Sequence, residues 1–166
     1  MSPLVPPRHG TRLGVTGHQV LPAVALGPVL DGLRRAIAQA GPGVIAMSSL
    51  AAGADQLFAG EVITAGGTLH VVLPCQRYEA TLHGADRDRY RELLEVAETI
   101  EILPYDEPTE AAFYAAGRRI VDLCDQLLAV WDGQPARGFG GTADVVAYAH
   151  QRGCDVRVIW PAGVRR

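Results

Sequence analysis

The sequence predicts an α/β fold, a doubly wound, mainly parallel sheet with helices on both faces. Three observations lead there. Short apolar strand patterns alternate with helical patterns along nearly the whole chain, and such alternation implies parallel strands joined by right-handed crossovers. The length of 166 residues fits one domain, and 48% apolar residues are enough for a sizeable core. No internal repeat or low-complexity stretch marks a second module. We therefore read residues 1–12 as a flexible N-terminal segment and 13–166 as a single domain.

The first strand is Leu13-Gly14-Val15-Thr16, ending at Gly17-His18. A helix follows from about Pro28 to Ala40: Val29, Leu30, Leu33, Ile37 and Ala40 recur at helical spacing, and Gly41-Pro42-Gly43 stops it. Val44 to Met47 is the second strand. Ser48-Ser49 then leads to a helix from about Gly53 to Ala65, which Gly66-Gly67 ends. Thr68 to Leu73 is the third strand, closed by Pro74. The stretch from Cys75 to Ala85 lacks clean periodicity, and its polar and aromatic content suggests a lid or site wall. A charged helix, Asp86 to Ala97, precedes a weaker strand, Thr99 to Leu103, and a helix from about Glu110 to Leu123. The fifth strand, Gln126 to Trp131, runs into Asp132-Gly133. A helix from Thr142 to Arg152 and a last strand, Asp155 to Trp160, complete the pattern.

Composition narrows the chemistry. All 15 positive residues are arginine, so neither a Walker lysine nor a Schiff-base lysine exists. A net charge of -3 with mixed signs gives no electrostatic footprint for duplex nucleic acid. Cys75, Cys124 and Cys154 form no CxxC, which argues for a reducing compartment and reads them as small hydrophobes. No signal peptide and no apolar run near the ~20 residues of a membrane span are seen, so a cytoplasmic protein without membrane partners is expected. The histidines lack metal-ligand spacing, and no metal or cofactor is predicted.

In a doubly wound sheet ligands bind beyond the carboxyl ends of the strands. Three motifs lie there: Thr16-Gly17-His18; the loop from Ser48 and Ser49 to Gly53 and Asp55; and Asp132-Gly133 with Gly140-Gly141-Thr142. The glycine loop before Thr142 leads into a helix whose first N–H groups and positive dipole end suit a phosphate or carboxylate; it reads equally as an ordinary turn with Thr142 as N-cap. His18 is either close to the ligand or a hydrogen-bonded cap. Asp55 lies near the start of its helix, where a carboxylate stabilises the dipole without any ligand. Ser48 and Ser49 either cap that helix or meet phosphate. Asp132 either accepts from ribose hydroxyls or forms an Asp-Gly turn. Tyr78 is a candidate for stacking on a base. Trp131 and Trp160 read as core or interface residues.

The second motif resembles the Ser-Gly-Leu-Ala-x-Gly-Ile-Asp signature of DNA-processing protein A, with Ser49 in place of glycine. The third resembles the Gly-Gly-x-Gly-Thr region of the Lonely-guy phosphoribohydrolases. Both groups belong to the Rossmann-like SLOG superfamily, and the resemblance runs from Leu13 to Trp160. It implies a nucleotide or nucleotide-derived ligand, usually in a homodimer, and a structural or ribose-binding role for Asp55. The phosphoribohydrolase motif carries a glutamate three positions after its threonine, where this chain has Val145. The nearest carboxylate, Asp144, is one position away, about 100° around the helix. The basic pair of those enzymes is matched only approximately by Arg118-Arg119, with Arg119 read as a surface residue.

The expected function is therefore nucleotide binding, as a sensor or regulatory protein. The enzymatic alternative is hydrolysis of the N-glycosidic bond of a nucleoside 5′-monophosphate, with Asp144 or Glu79 as carboxylate and Arg118 on the phosphate. A protein-interaction module with a degenerate pocket is the third reading. Single-stranded DNA is not expected as a partner, because the balance is acidic and only 6% of residues are aromatic.

Overall fold

The computed structural model describes residues 10–135, 139 and 141–166. The strands are β1 (Arg12–Gly17), β2 (Ile45–Ser48), β3 (Thr68–Leu73), β4 (Thr99–Ile102), β5 (Gln126–Val130) and β6 (Asp155–Val158). Between them run α1 (Ala23–Ala40), α2 (Ala54–Thr64), α3 (Gly84–Glu95), α4 (Glu110–Leu123) and α5 (Thr142–Gln151). The sheet has six strands in the order β4-β3-β2-β1-β5-β6, every pair parallel. The α/β doubly wound architecture read from the sequence is the one observed.

Strand alternation builds two cores. Ala46, Val71 and Leu128 face the layer of α1, α2 and α3, while their neighbours Met47, Val72 and Leu127 face α4 and α5. Successive side chains of a strand point to opposite faces, so central strands covered on both sides must be apolar throughout. Phe58 of α2 is fully buried in the first core, a burial that contributes about 1.5–3 kcal/mol. The edge strand β4 is covered less well and leaves Ile100 and Ile102 nearly half exposed. Among the described residues no helix is long and apolar enough to cross a membrane.

Two expectations need correction. α1 begins at Ala23, not Pro28: Pro22, at φ -57°, stands at its N-cap, and Pro28 lies inside the helix. An interior proline removes one intrahelical hydrogen bond, but it does not end a helix whose apolar face is buried at Ala25, Val29, Leu33 and Ile37. The stretch after β3 is not a lid. Tyr78–Thr81 forms a 3-10 turn, and Tyr78 is buried edge-on against Tyr90 (6.0 Å) and Phe113 (6.2 Å). Its ring is core, which withdraws it as a stacking platform.

Candidate functional site at the carboxyl edge of the sheet

The chain winds outward from β1 through β2, β3 and β4, then returns to place β5 on the other side of β1. The two halves diverge at β1 and β5, which makes the carboxyl ends of these strands the topological switch point. The β1–β5 ladder runs from Leu13↔Gln126 to Gly17↔Val130, and the N–H of His18 extends it to the carbonyl of Val130 (3.0 Å). Thr16 and Gly17 thus end the central strand. A Cβ on Gly17 would lie 2.6 Å from Cβ of Ala54 and 2.8 Å from the carbonyl of Val130, so this position is held small by packing.

His18 and Asp132 meet here, although the sequence separates them by 114 residues. His18 Nε2 lies 3.2 Å from Asp132 Oδ1, and both side chains are almost fully buried. Nδ1 of the same ring faces Nη1 of Arg166 at 3.0 Å. Nε2 also lies 3.1 Å from the backbone N of Asp132, which donates to it, so the ring is held between the Asp132 main chain on one side and the Arg166 guanidinium on the other. Trp160 packs edge-on against the imidazole (5.2 Å) and is fixed by its indole N–H to the carbonyl of Val164 (2.8 Å). Asp132 Oδ1 also accepts the N–H of Gln134 (3.1 Å), so the residue forms the turn as well as the pair. Burial opposes ionisation of Asp132, but the Gln134 N–H and His18 outweigh it and leave its carboxyl below the ordinary range. Gly133, at φ 83°, takes the chain through that turn.

The loop between β2 and α2 is braced from inside. Ser48 is buried, and its Oγ accepts the N–H of Leu50 (3.0 Å). Leu50 is fully buried at φ 56°, a left-handed conformation rare for a bulky residue, and its carbonyl accepts from Gln56 Nε2 (3.2 Å). Asp55 is buried in the first turn of α2 and accepts the N–H of Ala51 (3.3 Å). Burial pushes its carboxyl up to about 7, against the hydrogen bonds from the Ala51 and Ser49 backbone and the Ser48 side chain. Gly53, not Ser48 or Ser49, holds the N-cap of α2. The N–H of Ala54 donates to the carbonyl of His18 (3.1 Å), which ties this loop to the end of β1.

At the third motif, Gly141 is the N-cap of α5 and Thr142 its first helical residue, so Thr142 does not cap the helix as its sequence position suggested. Gly140 lies outside the described residues. Asp144 is in the first turn of α5. Val145 is turned into the α4–α5 contact and buried with Ala116, Ile120 and Ala149. Its partner there is Gly117, where a Cβ would lie 2.5 Å from Val145 Cγ2. Arg118 places its guanidinium over the ring of Tyr114 (5.0 Å), while Arg119 donates to Glu101 Oε1 (2.9 Å). Glu79 sits on the 3-10 turn after β3 and accepts from Arg91 (2.7 Å) and Arg87 (3.4 Å). Arg91 and then Arg87 hold its carboxyl below the ordinary range.

Two described cavities border this edge, the first reaching it at Gly53. One of about 380 Å³ is lined by Leu21, Leu57, Gln56 and Arg89, and another of about 250 Å³ by Arg35, Arg157 and Trp160. The chemistry at the strand ends, not cavity size, marks the candidate site. Among the described residues no cluster of three or more metal-ligating side chains occurs.

No family model matches the chain, and no curated protein matches it in sequence. Solved structures do. DNA processing protein A of Streptococcus pneumoniae aligns at TM-score 0.65 and 17% identity over 90% of this chain and 50% of its own. The Helicobacter pylori DNA processing protein A, described by its single-stranded DNA binding mode, aligns at 0.65 and 15% over 90% and 65%. The molybdenum cofactor binding protein of Rippkaea orientalis aligns at 0.59 and 16% over 91% and 77%. This chain is thus similar to only half to two thirds of either DNA processing protein. What the chain shares with these structures is the Rossmann-like fold of a parallel sheet flanked by helices.

The first two likenesses overturn the expectation that nucleic acid is no partner. That exclusion rested on whole-chain charge and aromatic content. Neither reports how arginines and aromatics are distributed over the surface, and the same fold in the H. pylori protein is described with single-stranded DNA.

Proposed function

We propose that the protein binds a nucleotide or nucleotide-derived ligand across the carboxyl ends of β1, β2 and β5, and that binding rather than bond cleavage is its function. The observation that supports the reading is that the loop after β2, the end of β1 and the Asp132 turn are tied together at the switch point. The Ser48–Asp55 loop is tied to β1 through Ala54 and His18, and β1 is tied to the turn after β5 through His18 and Asp132. The half-buried start of α5 offers N–H groups and a positive dipole end to a phosphate.

Val145 favours a binder over a hydrolase. The place of the motif glutamate is taken by an apolar side chain sealed beneath Gly117, and Glu79 is neutralised by two arginines. Neither of these two positions supplies the poised carboxylate that N-glycosidic cleavage requires.

Equilibrium dialysis against nucleoside monophosphates, cyclic nucleotides, NAD, ADP-ribose and a single-stranded oligonucleotide, read by mass spectrometry, tests this. Retention of one intact nucleotide, lost in Asp132→Ala, supports the proposal. Free base with ribose 5-phosphate would establish a phosphoribohydrolase. Retention of the oligonucleotide alone would give a nucleic-acid binder, and a blank across the panel an interaction module.

A further inference from the structure

Cys124 and Cys154 read from the sequence as unrelated hydrophobic residues, yet the fold sets their Sγ atoms 3.9 Å apart. Cys124 is the C-cap of α4, and Cys154 lies in the short connection between α5 and β6. Both are free thiols and only partly buried, whereas Cys75 is buried. A disulfide needs its sulfurs at about 2.05 Å, so closure asks for a movement of roughly 2 Å, within reach of side-chain rotation and a small shift of the α5–β6 connection. The pair brackets β5, the Asp132–Gly133 turn, Gly141 and the whole of α5, in other words one wall of the candidate site.

We propose that Cys124 and Cys154 form a reversible intramolecular disulfide that staples this arm of the fold. With a small-molecule disulfide as oxidant, the Cys154 thiolate attacks one of its sulfurs. A protein mixed disulfide forms and one thiolate leaves. Cys124, after losing its proton to solvent, attacks Cys154 Sγ, closing the bond and expelling the second thiolate. The protein loses two electrons and two protons, and the oxidant becomes two thiols. Cys154 is assigned the attack because burial, with Cys154 alongside, pushes the Cys124 thiol up to about 12. Closure draws on the Cys124 thiolate and accelerates with rising pH.

The test is incubation of the full chain with glutathione disulfide, followed by thiol counting in denaturant, intact mass and non-reducing peptide mapping. The expected result is two of three thiols lost, a mass decrease of about 2 Da and one cross-linked peptide pair carrying Cys124 and Cys154, all reversed by dithiothreitol. Oxidation should raise Tm by roughly 5–10 °C, as constraint of a loop of this length predicts. Cys75→Ser should leave the cross-link intact, and Cys124→Ser or Cys154→Ser should abolish it. Three thiols surviving prolonged oxidation at pH 8.5, a bond through Cys75, or only intermolecular dimers would overturn the proposal. Each readout is independent of any ligand.

Discussion

The N–H of Ala54 reaches the carbonyl of His18 at 3.1 Å because the residue between the loop and the helix, Gly53, has no side chain. Gly53 sits at φ 80°, and a Cβ there would lie 2.4 Å from the carbonyl oxygen of Gln19 and 2.6 Å from that of His18. Gly53→Ala therefore forces apart backbone that has no flexible side chain to yield. The expected loss is about 2–4 kcal/mol, combining conformational strain with overpacking. Urea denaturation of the two proteins measures it, and a loss below about 0.5 kcal/mol would contradict the close approach.

Asp132 and His18 give a pair of substitutions with opposite expectations. Asp132→Ala removes the buried carboxylate that lies 3.2 Å from His18 Nε2 and accepts the N–H of Gln134, and should cost about 1–3 kcal/mol. Asp132→Asn keeps an acceptor oxygen at nearly the same place and should cost less than about 1 kcal/mol. Equal losses by chemical denaturation would mean that the hydrogen bond is unimportant.

Asp55 makes stability depend on pH in an uncommon direction. Its carboxyl lies near 7 in the folded chain against 3.8 unfolded, because burial penalises the ionised form. Between those two values the folded protein holds the proton more tightly than the unfolded chain does. This contribution is therefore fully present below pH 4, declines as pH rises, and is lost above about 7. Asp55→Asn keeps an acceptor for Ala51 without the charge. It should flatten the decline, gaining stability on the order of a few kcal/mol at pH 8 and little at pH 4. Thermal melts of both proteins from pH 4 to 8 decide this, and parallel curves would refute it.

Val145→Glu restores the residue of the phosphoribohydrolase motif but places a carboxylate against Gly117 in the α4–α5 contact. The expected outcome is destabilisation by several kcal/mol with no release of free base from nucleoside monophosphates. Gain of hydrolysis in a stable variant would show that this side chain can turn to the ligand.

Regular elements were legible where punctuation was strong. β3 runs from Thr68 to Leu73 between Gly66-Gly67 and Pro74, and α4 runs from Glu110 to Leu123 behind Thr109, whose Oγ1 accepts the N–H of Ala112 (3.2 Å). Both match the spacing of apolar residues in the sequence. α1 was read short because Pro28 looks like a first-turn proline when nothing reveals that Pro22 already fills that role. Site residues were legible as strand-end motifs but not as partners. His18, Asp132 and Arg166 come together only through the parallel order of β1, β5 and β6, which no local spacing encodes. The inward roles of Ser48 and Asp55 depend on burial, and a Ser-Ser-Leu-Ala-Ala-Gly-Ala-Asp run looks the same whether it braces a loop or faces a ligand. The apposition of Cys124 and Cys154 escaped for the same reason.

The central place of β1 also sets the order in which the molecule can be made. Arg12 and Asp125, 113 residues apart, flank neighbouring strands, so the first strand emerges from synthesis long before one of its two partners exists. Until β5 arrives, β1 has an open edge and the α1–α3 half is a sheet fragment ending in unpaired N–H and C=O groups. Closing a loop of that length before its contacts repay the entropy makes folding slow, in the millisecond-to-second range typical of non-local topologies. Hydrogen-exchange labelling during refolding should accordingly find β2 and β3 protected first, and β1 with β5 only as the whole sheet completes.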